Sequence, residues 1–165
     1  KPDNLEQYEY LGKTKRGTPV YIFKEVINSD LIILTGTILY HYFAGFGGGR
    51  KLIVPGLSAL PTIRHNHALS IYPEKCEIHP DVRLGKLEGN PVAEDLIEAT
   101  LLTQKNYFIV NTVLSPDKKI LKIFCGDLIK AHLTGAEFAK KVYSISVPEF
   151  ADIVIASAGD AKNFL

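Results

Sequence analysis

An apolar run, DLIILTG at 30–36, leads within ten residues into a loop with almost no side chains, HYFAGFGGGR at 41–50. That pairing limits the fold more than any other feature. The run is apolar enough to be buried on both faces, as strands of a parallel, helix-covered sheet are. In the loop, Gly45, Gly47, Gly48 and Gly49 permit positive φ and close approach of backbone, at an entropic cost. Two readings of the loop stay open on these residues: a nest of backbone N–H groups around an anion, or a tight turn packed against neighbouring chain. Two cations, Arg50 and Lys51, follow at once.

The rest of the chain alternates. TPVYIFK (18–24) predicts a strand before the apolar run, and LPTIRHNHALS (60–70) a helix with Pro61 in its first turn. HPDVRLGKLEGNP (79–91) is a turn-rich connector. A helix over 91–104 has Asn90 as N-cap and Pro91 at its first position, with Glu94 and Asp95 near the positive end of the dipole. YFIVNTVLS and KILKIFCG flank PDKK and predict a β-hairpin. A further helix is expected from about Leu128 to Lys141, then strands at YSISV and DIVIAS. The expected fold class is therefore α/β: a layered domain with a mostly parallel sheet flanked by helices, plus a hairpin.

Composition narrows the function classes. The chain has 165 residues, about the size of one domain. Its net charge of +1 gives no global electrostatic case for nucleic acid or a membrane surface. No apolar run approaches the roughly 18 residues of a spanning helix. Cys76 and Cys125 form neither a CxxC nor a disulfide framework, which suits a reducing cytoplasm. Lys1 opens the chain without a methionine and Leu165 closes it just after an apolar run, so a piece of a longer protein is expected. We divide it into 1–150, an α/β part, and 151–165, the start of a following strand or second domain.

The glycine loop does not match the common phosphate binders. In a Walker A register Arg50 replaces the second glycine and Leu52 the hydroxyl residue, and in a dinucleotide fingerprint Arg50 again stands at the last glycine. Among the histidines, His65 and His67 lie two apart and diverge on a helix. His79 and His132 read as surface or capping residues. His41 follows an apolar run at a strand end, where α/β folds place ligands, and on spacing alone it is as readily structural as catalytic.

HYFAGFGGGRKLIVPG, with TIRHNH and HPDVRLGKLEGNPVAEDLIEA after it, resembles the nickel-dependent lactate racemase family. The family pattern sets a lysine ten residues after a histidine and a second histidine sixteen further on; His41, Lys51 and His67 reproduce both intervals. LEGNP and DIVIASAG extend the similarity over nearly the whole chain. The resemblance implies a racemase or epimerase of 2-hydroxy acids with a nickel pincer nucleotide, bound covalently through Lys51 as a thioamide. By the same resemblance His67 is the protein ligand to nickel, completing a four-donor plane suited to Ni(II). His41 would be the acid/base that takes the hydroxyl proton while the C2 hydrogen leaves as hydride. Gly45, Gly47, Gly48 and Gly49 would lie against the flat cofactor, and Arg50 would hold its phosphate or the substrate carboxylate.

The resemblance also implies groups supplied by other segments: a second base and a carboxylate-binding arginine upstream, and a glutamine and a lysine downstream. The implied partners are a small 2-hydroxy acid and the proteins that synthesise the cofactor. After IVIASAG the family continues with a second glycine, a proline, an aspartate and an asparagine, where this chain reads DAKNFL at 160–165. The alternative is a non-catalytic nucleotide- or anion-binding α/β module, which would require neither Lys51 nor the two histidines.

Overall fold

The computed structural model describes residues 3–155. Strands β1 (Tyr8–Lys13) and β2 (Pro19–Phe23) form an antiparallel pair, and the short α1 (Lys24–Asn28) leads to β3 (Leu31–Thr37). Two-residue strands β4 (Tyr40–His41) and β5 (Gly45–Phe46) pair across the start of the glycine loop. A single 3₁₀ turn, Gly49–Leu52, ends that loop, and α2 (Leu60–Ala68) follows. A small hairpin, β6 (Ile71–Tyr72) and β7 (Glu77–Ile78), precedes α3 (Pro91–Leu101). The chain then runs through β8 (Asn106–Leu114) and β9 (Ile120–Gly126) into α4 (Lys130–Tyr143).

The α/β class holds, but the largest sheet is mixed. Its order is β3-β8-β9, with β8 parallel to β3 and antiparallel to β9. Parallel pairing among the described residues is confined to β3 and β8, because β8 and β9 are joined by a tight turn at Ser115–Lys119, which only antiparallel strands can use. The expected strand at YSISV is absent: α4 continues to Tyr143, and 144–147 has no strand. DIVIAS forms no strand over 152–155, and its last two residues lie outside the described residues, as does the DAKNFL segment. The strand β1 escaped the sequence reading.

Core packing follows the two periodicities. Leu34 of β3 and Ile109 of β8 sit opposite each other and pack with Val20, Ile22, Ile53 and Leu96. A second cluster, Ile38, Phe46, Val113, Phe124, Ala136 and Ala139, fills the space beneath α4. Asn90 caps α3 as expected, accepting from the amides of Val92 and Ala93, and its own amide donates to the Phe43 carbonyl at 2.8 Å. One N-cap residue thus ties α3 to the loop beside His41.

Two buried polar groups hold the elements in place. Asp95 of α3, fully buried, accepts from Thr14 Oγ1 (2.5 Å), Thr18 Oγ1 (2.7 Å) and Asn66 Nδ2 (2.9 Å). It joins the β1–β2 turn, α2 and α3 at one carboxylate. His132 of α4, expected at the surface, is only 3% exposed: its Nε2–H donates to the Gly47 carbonyl at 2.8 Å. Burial and the neighbouring Arg50 charge lower its pKa from 6.5 to about 4, so it is a neutral imidazole.

Replacing Asp95 with alanine leaves three buried donors without their acceptor, and a loss of about 3 kcal/mol or more is expected in urea unfolding. His132 gives a signed pH effect. Its folded pKa lies below its unfolded value, so its contribution is complete above pH 6.5 and is lost as pH falls toward about 4. The loss should reach about 3 kcal/mol, and His132→Gln should flatten that limb of the stability–pH curve.

Candidate functional site

The site is built where β3 ends. Thr37 leaves the sheet, and the backbone turns through β4 and β5 so that Tyr40 pairs with Phe46 and His41 with Gly45. The glycine run is then anchored from the sheet: Asn111 of β8, fully buried, accepts the Gly49 amide at 2.7 Å. Gly45 (φ +71°) leaves no room for a side chain, since a Cβ there would collide with the Lys86 carbonyl. At Gly49 (φ +53°) a Cβ would lie 2.6 Å from His132 Cδ2. At Gly48 a Cβ would fall 2.8 Å from Asn111 Oδ1, whereas at Gly47 only ordinary contacts would arise. The bare backbone is therefore occupied by the protein's own Lys86, Asn111 and His132. Of the two readings of the loop, close packing against neighbouring chain accounts for three of its four glycines.

Arg50 lies beneath this loop, 2% exposed. Its Nη2 donates to the Ala44 carbonyl at 2.8 Å, and its Nη1 faces His132 at 3.3–3.4 Å. Among the described residues the Nε has no hydrogen-bond partner. Burial lowers the guanidinium pKa to about 10, which leaves it charged at neutral pH. The structure buries Arg50 as an internal support of the loop.

Lys51, the next residue, points the other way. Its Nζ is 3.1 Å from His41 Nε2. Burial first, and the Arg50 charge second, lower its pKa to about 8. His41 is held from behind, because its Nδ1 accepts from the amides of Phe43 (3.2 Å) and Ala44 (3.1 Å). The Tyr42 ring stacks on the imidazole at 4.8 Å with planes 11° apart. His67, in the last turn of α2, meets the Phe43 ring edge-on at 5.7 Å. Burial and then the Lys51 charge lower its pKa, which keeps it neutral and available as a donor.

His41, Lys51 and His67 are thus brought to one place by three separate elements. His65 is not among them; its Nδ1 lies 2.9 Å from Thr18 Oγ1 on the other side of α2. Neighbouring Asn66 is buried and holds α2 to Asp95 and to the Val92 carbonyl. Asn111, His132 and Asp95 were missed as supports of the site. Among the described residues no group of three or more His, Cys, Asp or Glu could hold a metal ion. A metal at His67 would need its other donors from a bound group or from residues outside those described. Among the same residues no helix is long and apolar enough to cross a membrane.

The chain is similar to known proteins in sequence and in fold. Residues 1–78 match the lactate racemase N-terminal domain family. The chain is 37% identical over 156 residues to a lactate racemase of Thermoanaerobacterium thermosaccharolyticum, covering 94% of this chain and 35% of that protein. It is 37% identical over 149 residues to a lactate racemase of Lactiplantibacillus plantarum, covering 90% of this chain and 34% of that one. It therefore spans about a third of the length of these relatives. The structure of the Thermoanaerobacterium lactate racemase apoprotein superposes with a TM-score of 0.78 at 36% identity, over 86% of this chain and 33% of that one. A Thermotoga maritima protein shares the fold at 16% identity, with a TM-score of 0.70 over 84% of this chain and 37% of that one. By sequence and by fold, the chain belongs to the lactate racemase family.

Proposed function

We propose that this chain is the cofactor-bearing part of a 2-hydroxy acid racemase or epimerase, with Lys51 as the tether, His67 as the metal ligand and His41 as the acid/base. The observation that supports it best is the 3.1 Å contact between Lys51 Nζ and His41 Nε2 beside a neutral His67. Anion binding alone has no use for that contact.

The residues fit the implied group, a nickel pincer nucleotide. Covalent attachment requires an unprotonated amine, and Lys51 has its pKa lowered to about 8. Nickel requires a neutral imidazole, which His67 supplies. When bound, the nucleotide supplies a hydride acceptor for C2 of the substrate. The chain's own residues do the rest. His41 presents Nε2 toward this space, while its Nδ1 is engaged by two backbone amides, so Nε2 is the ring atom placed to meet the substrate hydroxyl. Once the Lys51 nitrogen is acylated its lone pair is delocalised, and His41 is freed from it. The Tyr42 ring fixes the imidazole plane, and the Phe43 ring walls off His67. The substrate class and a cytoplasmic setting belong to the same proposal.

Three variants of the complete, cofactor-loaded enzyme test the division of roles. Lys51→Arg keeps the charge and cannot form the thioamide, so intact-mass spectrometry should find no adduct; an adduct that persists refutes the tether. His67→Ala should lower nickel occupancy with the adduct retained, whereas His65→Ala, on the far side of α2, should leave nickel nearly unchanged. His41→Ala should slow turnover by about 10²–10⁴-fold with adduct and nickel both intact.

A further inference from the structure

Arg50, the cation expected to meet a phosphate, is buried and donates to the Ala44 carbonyl, but α2 carries another arginine beside the site. An α-helix turns about 100° per residue. Thr62 and Asn66 mark the buried side of α2, bonded to Pro19, Tyr21, Val92 and Asp95. His67 lies about 100° to one side of Asn66, toward the Phe43 ring, and His65 about 100° to the other, toward Thr18. Arg64 precedes His67 by three residues in the same helix. That spacing sets it about 60° further outward than His67 and about 4.5 Å away along the axis, as a neighbour on the same side. The burial pattern agrees: Ile63 and His67 are half-buried, whereas Arg64 and Ala68 are exposed. Among the described residues no hydrogen bond or ion pair engages the Arg64 guanidinium.

We propose that Arg64 receives the phosphate of a pyridine mononucleotide bound at this site. This rests on the proposed function for the nucleotide and for its anchors at Lys51 and His67, and it adds the residue that takes the phosphate. A phosphate monoester carries about two negative charges at neutral pH. Attachment through Lys51 would remove that lysine's charge, and the Arg50 guanidinium is already engaged inside the loop. Arg64 offers what remains to be supplied: a permanent charge and a planar fork of N–H donors that fits phosphate oxygens. No existing ion pair among the described residues has to be broken to use it. Position separates the phosphate from the substrate carboxylate. The reacting carbon, with its carboxylate, would lie against His41, whereas Arg64 stands on the rim beyond His67 and meets the other end of the nucleotide.

The full-length protein, prepared without cofactor, is titrated calorimetrically with nicotinamide mononucleotide, with nicotinamide riboside, which lacks the phosphate, and with lactate. The mononucleotide should bind about tenfold tighter than the nucleoside, or more. Arg64→Gln should bring the two to equal affinity, and Arg64→Lys should keep part of the preference. His65→Gln, on the other side of α2, should keep all of it. In the cofactor-loaded enzyme, phosphorus-31 NMR should show the nucleotide phosphate titrating at higher pH in Arg64→Gln than in the unaltered protein, because the arginine favours the dianion. Equal affinities for mononucleotide and nucleoside in the unaltered protein, or no binding of either, overturn the proposal. A preference or a phosphate titration unchanged in Arg64→Gln overturns it too. Weaker lactate binding in that variant, with the nucleotide preference intact, reassigns Arg64 to the substrate carboxylate and equally overturns it. None of these readouts follows an adduct, nickel or racemisation. A preference that Arg64→Gln abolishes, with no adduct on Lys51, sustains this inference and refutes the tether; an adduct without any preference does the reverse.

Discussion

The site depends on one buried cation. Arg50 is 2% exposed, and its guanidinium bonds a carbonyl and faces a neutral imidazole, with no carboxylate paired to it among the described residues. Burying a charge on such terms is expensive, and removing its partners would be more so. It is tolerated because the loop wraps it: Ala44 lies upstream in the turn, His132 fills the slot left by Gly49, and Asn111 holds the Gly49 amide. With residue 50 pointing inward through the 3₁₀ turn, residue 51 is turned outward, toward His41. The arginine therefore orients the lysine by geometry as well as lowering its pKa by charge.

This arrangement revises the meaning of the glycines. A bare loop suggests a ligand pressed against backbone, yet Gly45 and Gly49 are required by Lys86 and His132 of the same chain. A side chain at either position would push the loop off α4 or off the 79–90 connector, and Lys51 would move with it. The connector's role is similarly indirect. Asn90 caps α3 and bonds the Phe43 carbonyl, so the turn that presents two amides to His41 is pinned by a helix cap.

Much of this was legible in the sequence, and the failures have physical causes. The caps, the hairpin and the apolar strand were readable because each depends on neighbours within a few residues. The intervals joining His41, Lys51 and His67 were readable through the family resemblance, although no local rule predicts that three elements meet. His132 was misjudged although a signal existed: it shares a helix face with Gly135, Ala136 and Ala139, all buried. Asn111 stands between Ile109 and Val113 in a buried alternation, and Asp95 lies on the buried face of α3 with Val92, Leu96 and Ala99. A polar residue within an apolar period marks a buried bond, and that mark was passed over. YSISV could not be judged alone, because alternation without a partner strand does not distinguish a strand from an extended tail.

The buried polar residues divide the labour between holding and reacting. Asp95, Asn111 and His132 are each satisfied by fixed partners and hold elements together. His41 and Lys51 bond each other across the space that remains, with His67 at its edge, and under the proposed function that contact would end on acylation of the lysine nitrogen. A lysine whose pKa is lowered to about 8 exposes its free amine to electrophiles more often than an ordinary one. The same features suit Lys51 to the covalent attachment that the proposed function assigns to it. Under the proposed function, acylation would remove the basic lone pair of the nitrogen and leave His41 facing the substrate. In that proposal the contact between His41 and Lys51 serves two stages in sequence, which accounts for a base placed against its own tether.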